Sequence, residues 1–152
     1  MPTTIIVPDG LPLVGASLLS TVVLLIGQSI VVGRHRKAAK IAYPQLYAEK
    51  AQEEASLEAK KFNCAQRAHQ NTLENIPIVW LTTCIAAAKY PILAASLTGL
   101  WSLSRYFYTR GYVTGDPTKR LRGGYLGSLT VLGLLGSSFY IVGKGVMEYL
   151  GF

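Results

Sequence analysis

Three observations predict an all-α integral membrane protein, a bundle of four transmembrane helices. Half of the 152 residues are hydrophobic and only 15% are charged, with a mean hydropathy of +0.31. The charges gather in patches separated by runs that carry none, notably Leu11 to Gly33 and Gly123 to Gly143. Each run exceeds the ~20 residues needed to span a ~30 Å hydrocarbon core. Thirdly, the net charge of +7 is distributed asymmetrically about the runs. A soluble all-α protein would bury two shorter helices instead, but it would leave the two long runs unaccounted for.

The chain reads as a single membrane domain of about one domain's length. Residues 1–10 form a short Pro/Gly-containing lead-in. The first span covers about 11–33. It has no basic residue before it and is longer than the apolar core of a secretory signal, so it is expected to be retained. Residues 34–66 form a loop on the cytosolic side, opened by Arg34-His35-Arg36-Lys37 and interrupted by Tyr43-Pro44. Its segment LYAEKAQEEASLEAKK, rich in Ala, Glu and Lys, predicts a short helix over 46–61, with the next helix starting near Phe62. The second and third spans, about 70–89 and 91–112, are shorter uncharged runs that reach full length only by drawing in Glu74 and Arg105. Tyr90-Pro91 turns the chain between them, and Val113-Thr114-Gly115-Asp116-Pro117 turns it again. The fourth span, about 123–143, carries Gly123/Gly127 and Gly133/Ser137, pairs four apart that permit close helix approach in lipid.

Four spans put both termini on one side. Arg34, Arg36, Lys37, Lys40, Lys50, Lys60, Lys61 and Arg67 fall in the first loop, and Arg105, Arg110, Lys119, Arg120 and Arg122 surround the third. Only Lys89 and Lys144 lie opposite, so the positive-inside rule makes the two basic loops cytosolic. Topology accounts for the basic balance, and nucleic acid is not needed as a partner. Cys64 and Cys84 are too far apart in depth to pair. Neither stands at a zinc-like spacing from His35 or His69, so no metal site is expected.

The spans also carry polar faces. Arg67, Asn71 and Glu74 recur at i, i+4, i+7, a single helix face flanked by Gln70. Trp101, Arg105, Tyr108 and Tyr112 form a second stripe at i, i+4, i+7, i+11. Both stripes lie at the cytosolic ends of their helices, and if they meet they line a polar pocket at the membrane boundary. Interhelical ion pairing and an aromatic belt would be the structural alternative. Guanidinium groups match carboxylates in bidentate fashion, Glu74 suits an ammonium, and Asn71 or Gln70 suits an amide. A small zwitterionic peptide with surplus carboxylate fits that inventory. A further Arg could hold a thiolate, because nearby positive charge lowers a thiol's pKa from about 8.5.

The segments FNCAQRAHQNTLE and RYFYTRGYVTGDPTKRLRG, with Tyr43-Pro44 before them, resemble the membrane-associated proteins of eicosanoid and glutathione metabolism. The likeness is greatest to the type-3 microsomal glutathione transferases. It runs from Arg34 through the fourth span, and it implies a homotrimer with glutathione bound between subunits on the cytosolic side. The implied chemistry is attack of the glutathione thiolate on a lipophilic electrophile, or reduction of a lipid hydroperoxide. By the same resemblance Arg67, Asn71, Glu74, Arg36, Tyr108 and Tyr112 bind glutathione, with Arg105 one turn before Tyr108. Lys37 takes the place of a second basic residue of the cysteinyl-leukotriene synthase branch. His69 and Asn75 depart from that branch, so leukotriene synthesis is at most a side activity. The family's thiolate-holding Arg falls in TKRLR, where the match lies between Lys119 and Arg120. Arg120 is chosen because its guanidinium is always charged.

The resemblance implies the endoplasmic reticulum membrane, with the nuclear envelope or outer mitochondrial membrane as alternatives. A non-catalytic lipid-binding scaffold of the lipoxygenase-activating type is the competing reading. Retention of Arg67, Asn71, Glu74 and Tyr112 favours glutathione over it. A channel or transporter is disfavoured, since no broken helix or midplane charge is evident.

Overall fold

The computed structural model describes residues 9–152, so most of the expected lead-in lies outside the described residues. The chain forms helices α1 (Leu11–Ala39), α2 (Lys50–Ala55), α3 (Leu57–Ala87), α4 (Pro91–Tyr112) and α5 (Leu121–Tyr149), with a 3-10 turn at Pro117–Arg120 leading into α5. Among the described residues there is no strand. The four long helices pack side by side: α4 lies against α1, α3 and α5, and α1 against α3. By length and composition, α1 and α5 with its leading turn qualify to cross a membrane.

The distribution of side chains is that of a bilayer protein. Large apolar residues face outward on every long helix, among them Val23, Leu81, Leu103 and Leu129. Inside, the fully buried positions include Thr21, Thr72, Thr83, Thr98 and Ser104. Lipid gives no hydrophobic reason for helices to associate, so packing of small residues and hydrogen bonds between helices must do so. Thr83 and Thr98 share a hydrogen bond of 2.6 Å between α3 and α4. Ser20 donates to Ser102, the Trp80 indole to Thr21, and Ser138 to the Thr82 carbonyl. Such contacts average about 0.6 kcal/mol each, so the bundle depends on their number and on close packing.

Closest approach occurs between α4 and α5, at the glycines singled out by their spacing. A Cβ on Gly123 would stand 2.0 Å from the Ser104 carbonyl oxygen and 2.5 Å from the Tyr108 nitrogen. A Cβ on Gly127 would meet Ser104 Oγ at 2.8 Å. The Gly123/Gly127 pair thus serves packing within one subunit. Gly123→Ala gains up to about 1 kcal/mol of helix propensity, yet it forces two backbones apart. It is expected to destabilise the folded bundle by a net ~1–3 kcal/mol, read as a lower denaturation midpoint in detergent. Gly136→Ala is the control, since nothing lies within 4 Å of its Cβ position, and it should leave the midpoint unchanged or slightly raised.

The basic segment is more helical than expected. Helix α1 runs through Arg34–Lys37 and stops where Lys40 turns left-handed at φ 56°. The single helix expected over 46–61 is divided. Ser56 is extended (φ −146°) and its hydroxyl caps α3, so the Ala- and Lys-rich stretch from Leu57 becomes the first turns of α3 rather than a separate surface helix. Only the six residues Lys50–Ala55 remain as α2. Asn63 fastens this connection to α3. It exchanges hydrogen bonds with the backbone of Ala48 and donates to Glu53.

Both cysteines are free thiols. Burial pushes the Cys64 thiol up to about 11, so it stays protonated at neutral pH and serves as a small apolar packing group beside Ala68, Tyr108 and Tyr112.

Candidate functional site

The end of the bundle where α4 stops and α5 begins holds a cleft of about 620 Å³. Its wall combines Asn71 and Asn75 of α3, Trp101, Arg105 and Tyr108 of α4, Arg120 at the end of the 3-10 turn, and the first turns of α5. The two polar stripes read from the sequence therefore meet, through Asn71 and Arg105. Arg105 Nη2 donates to Asn71 Oδ1 at 2.8 Å. Its Nε and Nη2 also reach Thr72 Oγ1 at 3.1 and 3.0 Å.

Arg105 is 6% exposed and its guanidinium lies 3.8 Å from the centroid of the Tyr108 ring. No carboxylate pairs with it among the described residues. A buried guanidinium without a counter-ion is costly, and its exposed edge faces the cleft. Among the described residues Arg120 is also outside every ion pair. Its Nη1 donates to the Tyr112 hydroxyl at 3.3 Å, and Tyr112 packs edge-on against Tyr108. Arg105, Arg120 and Tyr108 thus line one cavity that holds no carboxylate among the described residues, and Tyr112 stands behind its wall, touching Arg120 and Tyr108.

The turn that carries Arg120 is built with care for which cation points inward. Asp116 Oδ1 accepts from the backbone and hydroxyl of Thr118, and this pairing holds its carboxyl below the usual range. Its Oδ2 stands 3.8 Å from Lys119 Nζ. Lys119 is drawn to the outside of the 3-10 turn, and Arg120 alone of the two lines the cleft. Gly111 makes this possible, because a Cβ there would stand 2.1 Å from the Lys119 carbonyl oxygen.

The remaining residues expected at the site lie elsewhere. Arg67 Nη1 donates to Glu74 Oε1 at 2.7 Å and Asn71 Nδ2 reaches Glu74 Oε2 at 3.3 Å, so the predicted face of α3 is real. Arg67 and Glu74 are nevertheless half-exposed on the outside of the single chain, beyond the cleft wall. Arg36 is buried between the rings of Tyr43 and Phe62 and donates to the Gln45 carbonyl at 2.6 Å. Within one chain it pins the connection after α1. Lys37 is exposed. Thr72, Asn75 and Gly111 belong to the site's construction and were not among the residues expected there. Asn75 donates to the Asn71 carbonyl, and its place one turn after Asn71 is the signal that could have found it.

Fold and cleft together define an all-helical membrane protein with a cleft lined by Arg105 and Arg120 at its basic end. The MAPEG family model matches residues 14–140, and the chain belongs to the MAPEG family, whose members are membrane proteins and include glutathione transferases and activating proteins.

Proposed function

We propose that the protein is a membrane-bound glutathione transferase of the type-3 microsomal kind. It would activate the glutathione thiolate for attack on lipophilic electrophiles and for reduction of lipid hydroperoxides. The observation that carries the reading is the pair of guanidinium groups, Arg105 and Arg120, unpaired with any carboxylate among the described residues, on one cleft with Asn71 and Tyr108. Glutathione brings two carboxylates and an ionisable thiol against one ammonium, and that surplus of negative charge matches the cleft's surplus of positive charge. In this reading Arg120 holds the thiolate, and Tyr112 fixes Arg120 through its hydroxyl. Arg105, Asn71 and Tyr108 receive the peptide. Attack by the thiolate sulfur displaces a leaving group or adds to an activated double bond. With a hydroperoxide, the sulfur takes the terminal oxygen and releases the alcohol, and a second glutathione then forms the disulfide and water.

The proposal includes a homotrimer that sits in the endoplasmic reticulum membrane with its basic loops cytosolic. The half-exposed Arg67–Glu74 pair supports it, because Glu74 falls within the second span, where an ionised group requires protein or a wet cavity around it, and Arg67 sits at the cytosolic end of that span. A neighbouring subunit's cleft would supply that cavity, with Arg67, Glu74, Arg36 and Lys37 binding glutathione from the adjoining side. The lipophilic substrate enters from the bilayer.

Purified protein should bind glutathione in a calorimetric titration. It should also turn over when offered glutathione with a small reactive electrophile and, in parallel, with a fatty-acid hydroperoxide. Absence of binding and of both activities would contradict the reading and favour a lipid-binding scaffold.

A further inference from the structure

We propose that Gln28 is a positioning residue for Arg105, acting through the hydroxyl of Thr72. The inference rests on reading the cleft as a glutathione site, but the hydrogen bonds behind it do not. Gln28 lies on α1, which contributes nothing to the cleft wall, and it is 3% exposed. Its Nε2 donates to Thr72 Oγ1 of α3 at 2.9 Å and to Thr109 Oγ1 of α4 at 2.7 Å.

The orientation of this amide is dictated by its neighbours. Thr72 donates its only hydroxyl proton to the Ala68 carbonyl, and Thr109 donates its own to the Arg105 carbonyl. Both hydroxyls can therefore only accept, so both must face the amide nitrogen. The Gln28 oxygen points away and is left buried without a partner among the described residues. An orphaned buried acceptor is a definite cost, and an apolar side chain of similar size would avoid it. The return is geometric. One amide joins three helices at the depth of Arg105 and holds the single oxygen on which Arg105 Nε and Nη2 converge. Thr72 Oγ1 is thereby fixed from its own helix, from α1 and from α4. Without Gln28, Thr72 can change rotamer and Arg105 keeps only Asn71 and the Tyr108 ring.

The test combines a ligand-free and a kinetic readout on the full chain in detergent, using Gln28→Met, Thr72→Val and the double variant. In the unsubstituted protein the Arg105 Nε–H, identified by its loss in Arg105→Lys, should exchange slowly with solvent. Exchange should accelerate about tenfold or more in Gln28→Met and in Thr72→Val, with no further change in the double variant. KM for glutathione should rise about tenfold in Gln28→Met while kcat changes less than twofold. A merely structural Gln28 would lower the melting temperature and leave Arg105 exchange untouched, which would overturn the proposal. Additive effects in the double variant would overturn it as well. If the exchange changes as expected but the unsubstituted protein binds no glutathione, the functional reading falls and the positioning role stands.

Discussion

Arg120→Ala is expected to lower turnover by about 10²- to 10³-fold, the usual loss when a donor aimed at a developing or reacting anion is removed. Glutathione affinity should change only a few-fold. The separation follows from the chemistry of the thiol. A free thiol with a pKa of about 8.5 is ionised to only about 3% at pH 7. Lowering that value by two units makes the thiolate predominant, and each unit corresponds to about 1.36 kcal/mol. Ionisation alone thus supplies roughly a 25-fold gain at pH 7, and orientation of the sulfur supplies the rest. The pH dependence carries the sign: thiolate is lost as pH falls through the bound pKa. The unsubstituted protein should hold its rate down to about pH 6.5, while the variant's rate keeps rising toward pH 8.5. Lys119→Ala should remain within about twofold of the unsubstituted protein, because Lys119 is paired to Asp116 on the outside of the turn. The reverse ranking of the two variants in a conjugation assay would move the thiolate to Lys119.

Gly111→Ala tests the same site from behind. Its added methyl would meet the Lys119 carbonyl oxygen at 2.1 Å and carbon at 2.7 Å. Both are backbone atoms, so the 3-10 turn must shift by on the order of an ångström. A misplacement of that size costs about 10²-fold in rate. The expected result is a fall in kcat of that order with helix content retained by circular dichroism. Glutathione affinity should be little affected, because Arg105 and Asn71 are fastened to α3 and α4. The alanine also favours a helix by up to about 1 kcal/mol, so any loss of stability must come from the clash. Unchanged kcat would show that the turn relaxes without moving Arg120.

Some of this arrangement was legible in the sequence because it depends on local periodicity. The face of Arg67, Asn71 and Glu74 and the stripe of Trp101, Arg105, Tyr108 and Tyr112 follow from 3.6 residues per turn. Both recur in the folded chain. The meeting of the stripes depends on helix azimuth, which periodicity does not give. Asn71 and Arg105 face each other, whereas Arg67 and Glu74, on the same nominal face, look outward. At 3.6 residues per turn Asn71 stands about 40° round the helix from Arg67 and about 60° from Glu74, so the three share a broad face without pointing in one direction. The division of 46–61 at Ser56 was hidden by composition, since strong helix formers lie on both sides of the capping serine. Gln28 gave no signal: a lone glutamine in an apolar run has meaning only when Thr72 and Thr109 are brought to it. Between Lys119 and Arg120 the sequence offered only the permanent charge of a guanidinium; that Asp116 pairs with Lys119 while Arg120 lines the cleft is a property of the folded turn.

The central claim is that the cleft binds glutathione and ionises it. Its most direct measurement is the near-ultraviolet difference absorbance of the bound thiolate, titrated from pH 5 to 9 in the purified protein and in Arg120→Ala. Thiolate absorbance should appear on binding at neutral pH in the unsubstituted protein. In Arg120→Ala the same absorbance should develop only toward pH 8.5, although the peptide still binds. Glutathione that binds with its thiol still protonated at neutral pH, or an identical titration in the two proteins, would contradict it.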